Sequence, residues 1–256
     1  MAIVGSRFLD RYRVLRPIGR GAAATVYLAF DAHGTPFALK VFPRRLAARA
    51  EREWLIGRGF DHPNVNPVLE RGWIAGQPAL LLAYAPGSRL SEWRLRRPSA
   101  PFLPLFRQLL EALAHVHEKG YVHRDVKPEN LIVAPTGRIR LVDFDLAGPN
   151  EEGLGGLRVG TLAYLAPEVA AGKPATPAAD LYSAGVLLYW GLFGELPFTG
   201  NKQEVLAAHR HTLPEPPAGK EIDPELWFFL QSLLAKHPAD RLQDAAEALD
   251  YLPEPK

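Results

Sequence analysis

The residues best equipped for chemistry lie together in His123-Arg124-Asp125-Val126-Lys127-Pro128-Glu129-Asn130. This stretch sets a carboxylate, an ammonium and an amide at offsets of zero, two and five. A carboxylate can accept a proton from a hydroxyl, a lysine can neutralise a phosphate in transit, and an amide oxygen can ligate Mg²⁺. A plain polar connection between a helix and a strand could carry the same residue types. The chemistry therefore depends on what positions them and on partners elsewhere in the chain.

On the N-terminal side, Phe102, Leu105, Phe106, Leu109, Leu110, Leu113 and Val116 recur at intervals of three and four. That spacing predicts one buried face of a long helix, which Gly120 ends. His115 and His117 near its end are expected to be structural or surface residues, not metal ligands. On the other side, Leu131-Ile132-Val133 is a short apolar run of strand type. The stretch is thus a loop pinned at both ends. Nearer the N-terminus, strands are expected from Tyr12 to Ile18, Val26 to Phe30 and Pro36 to Phe42. Gly19 and Gly21 follow the first of these, and two glycines at a strand turn let backbone N–H groups approach phosphate oxygens. Lys40, near the end of an apolar strand, can pair with phosphates. A helix expected over Ala47 to Gly59 offers Glu51 and Glu53 as its partners. Two more strands, Glu70 to Ile74 and Ala79 to Ala83, precede the linker-like Ala83-Tyr84-Ala85-Pro86-Gly87.

The spacing around Asp125 resembles the catalytic loop H-R-D-x-x-x-x-N of the protein kinases, and Lys127 points to the serine/threonine branch. Gly19-Arg20-Gly21-Ala22-Ala23-Ala24-Thr25-Val26 resembles that family's glycine-rich loop, with Ala24 in place of the third Gly. Phe37-Ala38-Leu39-Lys40 resembles its strand lysine motif. Asp61-His62-Pro63-Asn64 resembles the turn after its helix glutamate, which selects Glu53 over an exposed Glu51. Leu82 then stands as gatekeeper, with the backbone of Ala83 and Ala85 facing adenine. Ile18, Val26, Ala38 and Ile132 would complete the ATP site, Ile132 packing under the adenine opposite Val26 and Ala38.

Asp143-Phe144-Asp145 resembles the metal-binding D-F-G, with Asp145 where Gly is expected. Asp143 and Asn130 would hold Mg²⁺, for which Mn²⁺ can substitute. Asp145 either restrains movement of this segment or adds a carboxylate near the metal; the default expectation is that it is tolerated and faces solvent. Between Leu146 and Gly160 there is no Ser, Thr or Tyr, so the usual activating phosphorylation site of this loop is missing. Arg124 would hold that phosphate. Glu151 or Glu152 can stand in for it, although Gly153, Gly155 and Gly156 are expected to leave both glutamates in water. Gly160-Thr161-Leu162-Ala163-Tyr164-Leu165-Ala166-Pro167-Glu168 resembles the end of the activation segment. Thr161 would bond to Asp125 and Lys127, Glu168 would pair with Arg241, and Asp180 would brace the catalytic loop.

The resemblance covers about residues 12 to 250 and implies an α+β, bilobal fold. A β-rich lobe would span 12–82, a hinge 83–87 and a mostly helical lobe 88–252, in one kinase domain. The implied function is transfer of the ATP γ-phosphate to Ser or Thr hydroxyls of protein substrates, without need of loop phosphorylation. A nucleotide-binding scaffold lacking activity is the alternative. A small-molecule phosphotransferase is opposed by the A-P-E segment and the late Arg241. Bacterial members can pair through the small lobe, so a homodimer stands among the expected partners.

Composition agrees with an ordinary globular protein: 47% hydrophobic and 23% charged residues. Net charge is 30 − 28 = +2, which argues against nucleic acid as a partner. Arginine clusters at Arg44, Arg45, Arg49, Arg52 and Arg58, and at Arg94, Arg96 and Arg97, are expected to be solvated helix faces. There is no cysteine, and neither a leader-like segment nor an apolar run of membrane-spanning length, so a cytoplasmic protein is expected.

Overall fold

The computed structural model describes residues 3–150, 152 and 162–254, which form two compact units. The first comprises Met1–Pro86 with Asp143–Asp145, and the second Gly87–Val142 with Leu146–Lys256.

The first unit is a six-stranded antiparallel sheet with one helix. Its strands are β1 (Arg7–Phe8), β2 (Tyr12–Arg20), β3 (Thr25–Phe30), β4 (Pro36–Val41), β5 (Val68–Ile74) and β6 (Gln77–Ala83), in the order β1-β2-β3-β4-β6-β5. Helix α1 (Ala47–Gly57) ends two residues before the glycine that was expected to stop it. Strand β2 continues past Pro17, where the sequence suggested an end. Pro17 pairs with Tyr27 and Gly19 with Val26, so Ile18 is an extra residue. Such a bulge accommodates proline without a lost ladder bond.

The continuous apolar run of β6 is explained by burial on both faces. Ala79 and Leu81 join Phe8, Val14, Leu39 and Val41 in one cluster. Leu80 and Leu82 join Phe42, Ala50 and Val68 in another, beneath α1. Strand parity decides the fate of Lys40. Its neighbours Leu39 and Val41 go to the first cluster, so Lys40 points to the α1 side. Ala24 is buried in the α1-side cluster, so its methyl group packs into the core of the first unit.

The second unit is mostly helical. In chain order it contains β7 (Ser88–Arg89), α2 (Leu90–Arg96), α3 (Leu103–Glu118), β8 (Tyr121–Val122), β9 (Leu131–Val133), β10 (Ile139–Leu141) and β11 (Gly148–Pro149). These are followed by α4 (Pro167–Ala170), α5 (Pro177–Phe193), α6 (Lys202–His211), α7 (Pro224–Leu233) and α8 (Ala245–Tyr251). The predicted apolar face of α3 is buried from Leu105 to Val116. Helix α5 is buried on nearly all sides; Pro177 opens it, and Gly194 at φ 81° closes it by donating its N–H to Trp190 O.

The interrupted segment from Leu196 to Ile222 contains a helix the sequence reading did not resolve, α6. Asn201 accepts from the N–H groups of Gln203 and Glu204, while Glu204 reaches back to Asn201, a complete capping box. Not all arginines are solvated. Arg94 donates to the carbonyls of Ala100 and Gly191, and Arg49 is engaged as described below. Among the described residues, no helix is long and apolar enough to cross a membrane.

Candidate active site

The first unit assembles a chain of charges around Lys40. Its Nζ donates to Glu53 Oε1 at 2.8 Å and Oε2 at 2.6 Å, and to Asp143 Oδ1 at 2.6 Å. Lys40 and Glu53 are both buried, whereas the Asp143 side chain is 43% exposed. Burial alone would lower the Lys40 pKa, but Glu53, Asp143 and Asp145 more than offset it and raise it above the ordinary value. Burial pushes the Glu53 carboxyl up to about 7 against the pull of Lys40. Glu51, two residues earlier and so on the opposite side of α1, is exposed and pairs with Arg71. The choice of Glu53 as the strand lysine's partner therefore agrees with the geometry.

Asp143 has φ 68°, a left-handed conformation that costs energy in a residue with a Cβ. Phe144 is buried, and its ring lies 4.8 Å from that of Phe60. The sequence-based expectation that Asp145 faces solvent is not met. The residue is 8% exposed and accepts from Arg49 Nε on α1. Burial raises its carboxyl pKa, with Lys40 and Arg49 pulling the other way. Of the remaining nucleotide-site residues in this unit, Ile18 and Gly21 are exposed, Gly19, Val26, Ala38, Ala83 and Ala85 are half-buried, and Leu82 is buried. The Gly21 N–H closes its own turn onto Ala24 O at 2.9 Å. Ala83 donates its N–H to Pro67 O and accepts from Asn66 Nδ2 at 3.1 Å, which leaves its carbonyl one further lone pair.

The second unit carries the loop of Asp125. Asp125 Oδ2 accepts from Lys127 Nζ at 2.6 Å and from Asn130 Nδ2 at 2.8 Å. Asn130 Nδ2 also donates to Asp125 O, so the amide nitrogen is committed to the loop and the amide oxygen is the atom left for a metal. Ile132 follows on β9, half-buried. Arg124 takes φ 68°, and the loop is held there from below. Asp180, in the first turn of α5, accepts from His123 N and Arg124 N, each at 2.7 Å. His117 Nδ1 accepts from Ala245 N, so its Nε2 carries the proton donated to Asp180 Oδ2 at 3.1 Å. Burial would raise the Asp180 pKa, but the hydrogen bond from His117, with the electrostatic pull of the His117 and His123 imidazoles and the bond from His123 N, holds it below the ordinary value. His117 is structural, as expected, though its connection to α8 is visible only in the fold.

Arg124 donates through Nη2 to the carbonyls of Pro149 and Glu152, at 2.8 and 3.0 Å. Its Nη1 lies 3.4 Å from Glu152 Oε2, so the expectation that Glu152 stays in water is not met. Glu168 and Arg241 form the expected buried pair. Glu151, Gly153, Gly155, Gly156, Gly160 and Thr161 lie outside the described residues, and with them the expected bonds of Thr161 to Asp125 and Lys127.

Each unit carries one oxygen donor of the kind Mg²⁺ takes, the Asp143 carboxylate in the first and the Asn130 amide oxygen in the second. An amide oxygen and a carboxylate are hard ligands, and Mg²⁺ takes one or two of these from protein and the rest from phosphates and water. Among the described residues, no group of three or more His, Asp or Glu could cage a metal alone.

Comparison with known proteins gives the same direction. Residues 12–251 match the profile of the protein kinase domain family. The chain is 34% identical to the serine/threonine-protein kinase pkn2 of Myxococcus xanthus, over 94% of this chain and 32% of that protein. It is 30% identical to PrkC of Bacillus subtilis, over 96% and 40%. It is 35% identical to PknL of Mycobacterium tuberculosis, over 94% and 64%. It thus spans between 32% and 64% of the length of these relatives.

Proposed function

The chain belongs to the protein kinase family, and on that premise we propose that it transfers the γ-phosphoryl group of ATP to serine and threonine hydroxyls of proteins. The observation that carries this reading is the Asp125 carboxylate, braced by Lys127 and Asn130 on a loop fixed by buried Asp180. In the reaction the acceptor hydroxyl oxygen bonds to the γ-phosphorus and the bond to the β–γ bridging oxygen breaks. Asp125 orients the hydroxyl and receives its proton, and Lys127 steadies the charge on the moving phosphoryl group. Lys40, held by Glu53, supplies positive charge to the α- and β-phosphates. Asn130 and Asp143 would hold Mg²⁺, which neutralises phosphate charge, and Mn²⁺ satisfies the same oxygen ligands. Positioning and electrostatics carry most of the rate. ATP supply places this activity in the cytoplasm.

Activity is further proposed to need no phosphate in the 146–160 segment. Glu152 and two carbonyls already occupy the guanidinium of Arg124, the group that would hold such a phosphate. The test is transfer from labelled ATP and Mg²⁺, to the protein itself and to a basic protein substrate, before and after phosphatase treatment. Asp125→Asn and Lys40→Met serve as controls. Label on Ser or Thr that both controls abolish and phosphatase treatment leaves intact supports both proposals. ATP binding without any transfer would replace the enzyme by a scaffold. Activity lost with phosphatase alone would refute independence from phosphorylation.

A further inference from the structure

We infer that Arg49 and Asp145 are a positioning pair, a latch that holds α1 against the Asp143–Asp145 turn and so keeps Glu53, Lys40 and Asp143 aligned without help from a loop phosphate. This rests on the reading of Lys40 and Asp143 as ATP- and metal-handling groups.

Arg49 and Glu53 are four residues apart on α1 and therefore project from one face of the helix, one turn apart. Each engages a different charge. Glu53 takes Lys40, Lys40 takes Asp143, and Asp145, two residues further on, takes Arg49. The result is a closed ring of contacts in which helix and turn are each gripped at two points. A single grip would leave α1 free to rotate about the Lys40–Glu53 bond; the second removes that freedom. Both members are largely withdrawn from water, with side chains 24% and 10% exposed, so salt screens this pair less than a surface bridge.

The residue type at 145 fits this role. A glycine is needed where the backbone turns left-handed, yet Asp145 is not among the described residues with positive φ, whereas Asp143 is. The turn therefore does not use the freedom that glycine would bring. The Cβ at 145 penalises alternative left-handed conformations of the turn, and the carboxylate adds the bond to α1. The engagement with Arg49 also argues against Asp145 as a second metal ligand.

The experiment compares wild type with Asp145→Gly, Arg49→Ala, Arg49→Lys and the exchanged pair Arg49→Asp with Asp145→Arg. Amide hydrogen exchange is followed in residues 47–57 and 143–145 of the nucleotide-free protein, beside kcat and KM for ATP. Arg71→Ala, which breaks the exposed Glu51–Arg71 contact on the same helix, is the control. The expected result is exchange faster by roughly tenfold in both segments for Asp145→Gly and Arg49→Ala, with kcat/KM lower by a similar factor. Arg49→Lys or the exchanged pair recovers to within about threefold, and Arg71→Ala changes neither readout. Unchanged local exchange in Asp145→Gly, or the absence of recovery in both Arg49→Lys and the exchanged pair, overturns the latch. Failure of wild type to transfer phosphate, with the exchange pattern as expected, sinks the proposed function and leaves the latch standing.

Discussion

Replacing Glu168 by alanine should destabilise this protein more than any change to a surface charge. Arg241 is fully buried, and all five of its N–H groups are accounted for. Nε donates to Ala235 O, Nη1 to Glu168 Oε1 and Ala178 O, and Nη2 to Glu168 Oε2 and Lys236 O, at 2.7 to 3.2 Å. Removing the carboxylate leaves two donors and a whole positive charge uncompensated in the interior of the second unit. Breaking such a buried pair from one side costs about 3–5 kcal/mol. At about 2–4 °C of Tm per kcal/mol for a chain of this size, the midpoint should fall by roughly 6–20 °C. Urea unfolding followed by tryptophan fluorescence measures the same quantity isothermally. The double replacement Glu168→Leu with Arg241→Met removes both charges while keeping bulk, so it should cost less than Glu168→Ala alone. A loss below about 1 kcal/mol for Glu168→Ala would rank the pair with exposed salt bridges and refute the reasoning. A double variant worse than the single would refute the claim that stranded charge dominates.

Further outcomes follow from other sites. At Gly191 on α5, an added Cβ would sit 2.1 Å from Cε1 of the Phe102 ring, so Gly191→Ala should cost about 1–3 kcal/mol in the same unfolding assay. A neutral result would mean the ring moves freely aside. His209 is buried beside Tyr182, and burial together with Lys236 pushes its pKa down to about 4 from 6.5. As pH falls, the unfolded chain takes up the proton first, so the share of stability due to His209 should be full above 6.5 and be lost between 6.5 and about 4. Lys236, pushed down to about 8 by burial, contributes its own loss between 10.5 and 8, whereas Glu53, pushed up to about 7 from 4.5, adds stability as pH falls through the acid window and so opposes His209 there. The His209 share is read as a difference: the stability of wild type relative to His209→Gln should fall as pH drops from 7 to 4, and a difference that stays constant would contradict the assignment. Asp180→Asn removes an acceptor that holds Arg124 at φ 68°. Loss of about 2 kcal/mol of support corresponds to a roughly 30-fold fall in kcat, with KM for ATP little changed. A proportionate rise in KM instead would place the effect on binding.

What could be read in the chain was what short range decides. The offsets of Asp125, Lys127 and Asn130 fall within one loop, so their mutual bonds follow from local backbone geometry. The three-and-four spacing of α3 and the parity of β4, which turns Lys40 toward α1, are consequences of helix and strand periods. The capping box of α6 was equally local, and its Asn201–Glu204 spacing was the available signal. Other features depend on residues that only the fold brings together. Arg49 and Asp145 are separated by 96 positions, and His117 and Asp180 by 63. Each of these side chains alone has the composition of a solvated surface. Whether a charge is buried or bathed in water is set by its neighbours in space, and the cost of burial is what forces a partner upon it. That is why Asp145, expected in solvent, lies against α1, and why Glu152 meets Arg124.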